Sequence, residues 1–341
     1  MPSLPSDLFT NIYRRAKDLP PKVWDTLKSN ARNANVILPQ ALKAYTAEAD
    51  NPGYRRENVW ITCSSRSNIL FILAITEGYT GAYPVFIMTT LPFHRLTDSS
   101  IRPCINVLIK ALLDARVPRH RVYSVFAPEP ITELFAAEWE HVTGIRRESD
   151  PYYAAKITYC TLDKLDKRSS TVDQSFGYNL RPAVLGDIPA ISELGFLFAE
   201  ESFPFQLSRH GAFEEATLLV QNDEVWVHEA RLPGQPKEIA SIVAFTRNSE
   251  TVAAITKVFT NPKWRRRGCA ERLVRRVCRY LLTDQKKESV VLYVAHNNAA
   301  ANHVYHRVGF AGLSNDTFTV DGVDPWLEIG FDRNQVQLGH W

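Results

Sequence analysis

The chain has 341 residues, and 40 Lys and Arg residues against 37 Asp and Glu residues give a formal net charge of +3. A dedicated nucleic-acid-binding protein usually carries a stronger basic excess, so no nucleic-acid partner is expected. The longest apolar run, Ile69–Ile75, is shorter than the roughly 18 residues of a membrane helix, and the first residues lack the apolar segment of a secretory signal. The 5 scattered cysteines form no CxxC pair, which predicts a reduced, cytoplasmic protein without a disulfide framework or a zinc site.

The first half of the chain alternates predicted helices and strands. Residues 10–50 are predicted to be helical, with a break near residues 19–21. Two later helices are predicted at "SSIRPCINVLIKALLDARV", capped by Ser99 or Ser100, and at "PITELFAAEWEHVTG", which ends at Gly144. Turn residues and β-branched content predict the strands "VWITCSS", "ILFILAI", "PVFIMTTLP", "RVYSVFA" and "AAKITYCTL".

The second half repeats this alternation after a polar segment, Asp163–Gly177, which is predicted to be a linker. Helices are predicted at "DIPAISELGFLFAEE", at Cys269–Leu282 and at "NAAANHVYHRVG". The predicted strands are "YNLRPAV", "EVWVHEARL", "EIASIVAFTR", "TVAAITKVFT", "SVVLYVA" and "WLEIGF". This order predicts a mixed α/β fold with one lobe at residues 1–165 and a second domain at residues 175–335.

A basic stretch, "KWRRRGCAERLV", joins a predicted strand to a predicted helix. The N-terminus of a helix holds a phosphate with its free backbone N–H groups and its dipole. Gly268 allows the backbone to approach the anion closely, and Ala270 keeps the next position small. The side chains expected around the anion are those of Arg265, Arg266 and Arg267. The pattern is neither a Walker loop nor a dinucleotide fingerprint, and it suits a pyrophosphate.

Two motifs resemble one family. Arg265–Ala270, called the basic loop from here on, matches the pattern (Gln/Arg)-x-x-Gly-x-(Gly/Ala) of the acyl-CoA loop of the GCN5-related N-acetyltransferases (GNAT). Downstream, "NAAANHVYHRVGF" resembles the segment Asn-x-x-Ala-x-x-φ-Tyr-x-x-x-Gly-Phe of the same family, where φ is apolar. The resemblance covers roughly residues 176–335 and implies a GNAT fold there. The first half has "TTLPFHRLTDSSIRP" in place of the loop, and a degenerate GNAT-like lobe is one interpretation of it.

The resemblance implies transfer of an acetyl group from acetyl-CoA to an amine, without a metal. It implies that Val258 and Phe259 offer backbone amides to the pantetheine arm and the thioester, that Asn298 binds the pantetheine arm, and that Tyr305 is the general acid. The full set of residues that it places at the cofactor is Val258, Phe259, Thr260, Arg265, Arg266, Arg267, Gly268, Cys269, Ala270, Asn298 and Tyr305.

The resemblance does not identify a general base in this sequence. The family often places a Glu on the strand before the loop, but "TVAAITKVFT" has no acid and offers only Thr256 and Lys257. A remote carboxylate that acts through water is an alternative, and an acceptor amine of low pKa would need no strong base. The candidates are Glu200, Glu201 and Glu229, the last with His228 beside it.

Three other groups of residues are candidate parts of a site: an aromatic stretch, the later arginines and three histidines. The aromatic stretch Glu201–Phe213 falls where the family binds its acceptor, and a substrate wall and ordinary packing are equally compatible with it. The later arginines of the basic helix are expected on its solvated face, opposite the apolar stripe Leu273, Val274, Val277 and Leu281. These arginines are Arg272, Arg275, Arg276 and Arg279, and contact of one of them with the ribose phosphate of the cofactor is the alternative. A metal site is not expected at His296, His303 and His306, since no carboxylate or Cys joins them.

The leading hypothesis is an acetyl-CoA-dependent N-acetyltransferase for a small-molecule amine, such as an amino acid or an amino sugar. A first half without the motifs, followed by a second half that carries them, resembles the glycine N-acyltransferase-like branch, which implies amino-acid acceptors as a variant. A CoA-binding sensor without turnover and nucleic-acid binding through the Arg-rich helix are the alternatives. No membrane partner is expected, and the chain is expected to be a monomer with two pseudo-dimeric lobes or a homodimer.

Overall fold

The computed structural model describes residues 7–51, 53–54, 56–78, 81–166, 176–314 and 319–340. The chain forms two compact units. The first unit comprises Met1–Lys156 and Asp324–Trp341, and the second comprises Ile157–Val323. Residues 167–175, the centre of the predicted linker, lie outside the described residues.

The regular elements follow each other in a mixed α/β order. The strands are β1 (Leu8–Tyr13), β2 (Val59–Ser65), β3 (Asn68–Ile75), β4 (Val85–Thr89), β5 (Ser124–Pro128), β6 (Tyr153–Cys160), β7 (Gly177–Pro182), β8 (Val225–Arg231), β9 (Glu238–Ala244), β10 (Arg247–Asn248), β11 (Val252–Ala254), β12 (Lys257–Thr260), β13 (Ser289–Ala295) and β14 (Pro325–Gly330). The helices are α1 (Pro21–Ser29), α2 (Leu38–Asp50), α3 (Asp98–Asp114), α4 (Glu129–Thr143), α5 (Ile188–Glu200), α6 (Arg209–Gln221), α7 (Cys269–Arg279) and α8 (Ala299–Val308).

The first unit is built on antiparallel strands in the order β1-β2-β3-β4. β5 runs parallel to β4, and these two strands pair only at Val85 with Val125 and at Phe86 with Phe126. β14, from the end of the chain, pairs antiparallel with both β5 and β6. Its Trp326 is buried, with its ring centroid 5.1 Å from that of Phe126. The last strand therefore belongs to the first unit, whereas the sequence had placed it at the end of the second domain.

The first strand corrects a prediction. Residues 10–50 were expected to be helical, but β1 pairs with β2 over its whole length, from Leu8 opposite Ser65 to Tyr13 opposite Trp60. Pairing with a distant strand overrides the weak local preference of this segment. The helical part of the prediction begins at α1, which has Pro21 at its first position.

The first unit has no counterpart of the basic loop among its described residues. The helix after β4, α3, begins at Asp98, and the residue before it is Thr97 rather than Ser99 or Ser100. Asp98 pairs with Arg102 at 2.7 Å across one helical turn. The residues between β4 and α3 contain no glycine, so this helix start lacks the left-handed turn that Gly268 provides before α7.

The second unit repeats the same order of strands. β7, β8, β9 and β12 form an antiparallel sheet, and β11 runs parallel to β13. The single strand predicted at "TVAAITKVFT" is thus divided into β11 and β12, which have different partners. α6, which was not predicted as a helix, begins after Ser208, whose hydroxyl accepts a hydrogen bond from the N–H of Gly211 at 3.0 Å.

Side chains alternate between two cores along the strands of the second unit. On one face, α5 and α6 cover β8, β9 and β12, and the buried side chains include Ile191, Leu194, Leu219, Val227, Ile242 and Phe259. On the other face, α7 and α8 pack on the same strands and on β13, and the buried side chains include Leu273, Val277, Trp226, Val243, Leu292 and Tyr305. The predicted apolar stripe of α7 is confirmed. Within the described ranges, no helix is both long and apolar enough to cross a lipid bilayer.

Candidate active site

The candidate site begins where the strand before the basic loop changes its partner. The N–H of Ile255 donates to the carbonyl of Val291 on β13 at 2.9 Å. The next residue, Thr256, donates to the carbonyl of Ala244 on β9 at 2.9 Å, and β12 stays paired with β9 as far as Thr260. No ladder joins β12 to β13 in the described part of the chain. The two strands therefore diverge beyond Ile255, and we call this divergence the fork.

Alternation along an antiparallel pair decides which amides of β12 face the fork. Thr256 and Lys257 both lie opposite Ala244, so the alternation is interrupted there and is counted from the far end of β12. The N–H of Asn261 donates to β9 at 2.9 Å, so Phe259 and Lys257, two and four residues earlier, direct their N–H groups to β9 as well. Val258 and Thr260 direct theirs into the fork. The N–H of Phe259, which the resemblance places at the cofactor, is thus directed to β9, while those of Val258 and Thr260 point away from it.

The basic loop turns through two left-handed residues before α7. Gly268 has φ +69° and Arg266 has φ +63°. The first N–H that finds an acceptor within the helix is that of Arg272, which donates to the carbonyl of Gly268 at 3.1 Å. The amides of residues 269–271 precede it and belong to the open end of the helix, where they can hold an anion.

The loop arginines differ in how they are held. Arg265 donates to Glu201 at 2.9 Å, and its guanidinium lies 5.3 Å from the ring centroid of Phe259. Arg267 lies 5.3 Å from the ring centroid of Trp264. Arg266 is exposed. Arg265 and Arg266 are therefore both exposed, and Arg265 and Arg267 each lie against an aromatic ring.

Arg272 lies buried beneath the loop, and the prediction of a solvated position for it is wrong. Its side chain is packed over the ring of Tyr178, 4.7 Å from the centroid, and one of its terminal nitrogens donates to the carbonyl of Arg267 at 2.5 Å. Its Nε donates to Nε2 of His228 at 3.4 Å. Stacking on an aromatic face lets a guanidinium be buried, which composition alone does not reveal. None of its hydrogen bonds in the described residues goes to a carboxylate.

His228 is held neutral by this arrangement. It is fully buried, and burial together with the charge of Arg272 lowers its pKa to about 4. Because Nε2 accepts from Arg272, this nitrogen does not serve as a proton acceptor for a substrate.

Arg275, also expected to be solvated, is buried too. Its guanidinium contacts Glu271 at 2.8 Å and the carbonyl of Arg307 at 3.0 Å.

α8 carries the two residues of the second motif. The carbonyl oxygen of the Asn298 side chain accepts a hydrogen bond from the N–H of Ala301 at 3.0 Å, so this residue caps the helix. Tyr305 is 9% exposed, and its ring centroid lies 5.6 Å from that of Phe310. Tyr305 shares a core cluster with Ile255 at the start of the fork.

The carboxylates proposed as bases are engaged in ion pairs. Lys237 and Arg181 contact Glu229 at 2.6 and 2.8 Å, and they hold the pKa of this carboxyl below its usual value. Glu201 pairs with Arg265 at 2.9 Å. For Glu229, ion pairing favours the charged carboxylate and weakens it as a base. The other candidate, Glu200, is exposed at the end of α5.

The sequence missed an ion pair beside the fork. Lys257, the first residue of β12, has its Nζ 2.8 and 2.6 Å from the two carboxylate oxygens of Glu215 on α6. The two side chains are 12% and 20% exposed. The spacing of residues in the sequence could have indicated that Glu215 is buried, because it lies on the same face of α6 as the buried Ala212, Ala216 and Leu219.

The remaining candidates lie at the surface or in the core. In the aromatic stretch Glu201–Phe213, Phe203 is 66% exposed and Phe205 is buried, so both interpretations of this stretch persist. Cys269 is buried beside Trp264. Across the described residues, no group of three or more His, Cys, Asp or Glu side chains is placed to hold a metal ion.

A family model matches part of the second unit. Residues 191–310, which contain the fork, the basic loop and α8, match the acetyltransferase (GNAT) family model. The second unit therefore contains a GNAT domain, and this family supports an acyltransferase activity with acetyl-CoA as the acyl donor. No curated protein matches the sequence.

Solved structures extend the similarity to the whole chain. A tandem GNAT protein from the clavulanic acid biosynthesis pathway aligns with a TM-score of 0.53 and 14% identity, over 95% of this chain and 98% of that one. A GCN5-related N-acetyltransferase from Sphaerobacter thermophilus aligns with a TM-score of 0.54 and 16% identity, over 96% and 97%. A Drosophila protein aligns with a TM-score of 0.56 and 11% identity, over 92% and 95%. The fold is that of two GNAT-like lobes in tandem.

Proposed function

We propose that the second unit is a cytoplasmic, acetyl-CoA-dependent N-acetyltransferase that modifies the primary amine of a small molecule. The buried guanidinium of Arg272 carries this proposal. A buried charge is costly unless an opposite charge compensates it, and the described residues offer Arg272 no carboxylate. It lies directly beneath Gly268, where a pyrophosphate at the start of α7 would supply the missing negative charge.

The residues around the fork fit the rest of acetyl-CoA. The amides at the start of α7 and the loop arginines would hold the pyrophosphate. The amides of Val258 and Thr260 would face the pantetheine arm, because β9 does not use them. All 5 cysteines are buried and free, which supports a reducing compartment.

The proposed reaction needs two contributions from this chain. As the amine nitrogen attacks the thioester carbon, negative charge develops on the carbonyl oxygen, and the N–H of Val258 would stabilise it. The C–S bond then breaks, and Tyr305 would donate its phenolic proton to the leaving thiolate. The amine loses a proton to solvent or to a carboxylate, for which Glu201 and Glu229 are the candidates; the ion pairs of Glu229 lower its pKa and make it the weaker base.

The test is a CoA-release assay across a panel of small amines, combined with calorimetric titration of acetyl-CoA. We expect saturable acetyl-CoA binding and a release rate that depends on the amine. Gly268→Glu is the matched control, because it places a carboxylate in the phosphate cradle and should abolish binding without unfolding the chain. Purified protein that does not bind acetyl-CoA would contradict the proposal.

A second candidate is a CoA-binding sensor without turnover. One observation favours it: β12 carries Lys257 where the family often has an acid. Tight acetyl-CoA binding without release of CoA in the presence of any amine would identify this candidate as the function.

A further inference from the structure

The ion pair between Glu215 and Lys257 closes a small apolar cavity. The cavity lies between α5, α6 and the sheet, and it is lined by Ile191, Gly195, Ala212, Ala216, Leu219 and Ile242 in addition to the pair. With the pair closed, the cavity is too narrow for a water molecule. Both side chains keep some solvent exposure, so a ligand from solvent can reach them.

The pair is placed for contact with an acceptor at the fork. Lys257 stands two residues after Ile255, where β11 leaves β13, and one residue before Val258, whose N–H faces the fork. Its side chain points to the face covered by α5 and α6, where its Nζ lies 5.3 Å from the ring centroid of Phe198. The opposite face of β12 belongs to the core of α7 and α8. An acceptor seated at the pair would therefore approach the fork from the side of α5 and α6.

A glycine inside α5 keeps space open opposite the pair. Gly195 is buried in the middle of the helix, where glycine is less favourable than alanine by about 1 kcal/mol. A Cβ at this position would lie 3.9 Å from a carboxylate oxygen of Glu215 and 4.0 Å from the Nζ of Lys257. The missing methyl group leaves room into which the pair can open.

The balance of charges defines which ligand can open the pair. A simple amine would replace Lys257 at the carboxylate of Glu215 and leave the lysine without an anion in a poorly solvated place. A simple acid would leave Glu215 without a cation. Removal of one partner from a poorly solvated pair is strongly unfavourable. A ligand with one ammonium and one carboxylate group re-pairs both side chains.

We infer that the Glu215–Lys257 pair is the acceptor-binding element and that the acceptor is an amino acid. Its ammonium group contacts Glu215, and its carboxylate contacts Lys257. This inference rests on the proposed function, because it names the chemical class of the acceptor.

The experiment measures acceptor binding separately from turnover. The intact protein, saturated with CoA, is titrated calorimetrically with the common L-amino acids, with their amides and with the matching decarboxylated amines. We expect at least one amino acid to bind tenfold or more tightly than both its amide and its decarboxylated amine. Lys257→Met should reduce the preference over the amide to less than threefold, and Glu215→Gln should weaken binding of the amino acid at least tenfold.

Two further variants separate binding from folding. Gly195→Ala should raise Tm, because alanine favours the helix. It should also weaken binding of the amino acid at least fivefold, because the new methyl group fills the space beside the pair. Arg209→Met breaks a pair with Glu193 that also joins α6 to α5 but is exposed, with 68% and 49% of the two side chains accessible. This control should leave acceptor binding unchanged.

The inference is overturned when amides or decarboxylated amines bind as tightly as the amino acids, or when Lys257→Met folds and keeps the original preference. A preference for a simple amine that also releases CoA would keep the proposed function and reject this inference. Amino-acid binding without any CoA release would support the inference and reject the enzyme. If CoA does not bind, the same titrations are run on the free protein, so the two failures stay distinct.

Discussion

Replacement of Gly268 by alanine tests the basic loop most directly. The residue has φ +69°, a conformation that costs an L-residue roughly 1–2 kcal/mol. The new Cβ would also lie 3.0 Å from a terminal nitrogen of Arg272. The guanidinium would have to move, and its hydrogen bond to the carbonyl of Arg267 would weaken.

The expected loss of affinity follows from these two effects. A hydrogen bond from a charged group contributes about 1.5–3 kcal/mol, and a factor of ten in affinity corresponds to about 1.4 kcal/mol. Relaxation of the strained loop would also turn the amides at the start of α7 away from the anion. We expect Gly268→Ala to weaken acetyl-CoA binding by about tenfold to a hundredfold, because the displaced guanidinium and amides lose contacts with the anion. The stability of the protein should fall by about 1–2 kcal/mol from the backbone strain and by up to about 1.5–3 kcal/mol more from the weakened hydrogen bond of Arg272.

The chain offers a matched control in another turn. Gly234 has φ +73°, and a Cβ there would meet nothing within 4 Å. Gly234→Ala should therefore carry the same backbone strain and bind acetyl-CoA with unchanged affinity. Calorimetric titration and thermal unfolding of both variants make the comparison. Wild-type affinity in Gly268→Ala, or an equal loss in Gly234→Ala, would refute the assignment of the loop.

Three other changes have defined outcomes. Tyr305→Phe should lower kcat at least tenfold and change the Kd of acetyl-CoA less than threefold, as measured by CoA release and calorimetry; an undiminished kcat removes this residue as the acid. The pKa of His228 is about 4 in the folded protein and 6.5 without its surroundings, so folding keeps the imidazole neutral between these values. The stability that comes from burying the neutral imidazole is therefore complete above pH 6.5 and is lost as the pH falls toward 4. His228→Gln should therefore flatten the decline of the unfolding free energy between pH 6.5 and 4, by about 3 kcal/mol, in urea titrations; an unchanged slope contradicts the assigned pKa. Glu201→Gln should tighten acetyl-CoA binding two- to fivefold at low salt, because it frees Arg265 for the anion and removes a nearby negative charge. Weaker binding in this variant would place Arg265 outside the phosphate site.

Local features of the fold were predicted well where adjacent residues decide them. The glycine of the basic loop, the apolar stripe of α7 and the turn at Gly144, which has φ +75°, depend on neighbours within one or two helical turns. Hydrophobic periodicity and the conformational freedom of glycine describe such neighbours directly. The proposed anion site at the start of α7 rests on the same local rules.

Strand partners were predicted less well, because pairing depends on residues far along the chain. β1 was expected to be helical, and "TVAAITKVFT" was expected to be one strand. Its division into β11 and β12 depends on Thr256, which turns from β13 to β9. That change of partner creates the fork, and no property of the segment alone predicts it.

The sequence alone determined the GNAT motifs and the basic loop, because each lies within one short segment. Tertiary structure decided which charges are buried and what they contact. Arg272 was expected in solvent and lies beneath the loop against the ring of Tyr178, a residue from a distant strand. Glu215 and Lys257 are 42 residues apart in the chain and meet only when α6 packs on β12. Burial and long-range pairing are properties of the packed chain, since they depend on which elements come to lie side by side.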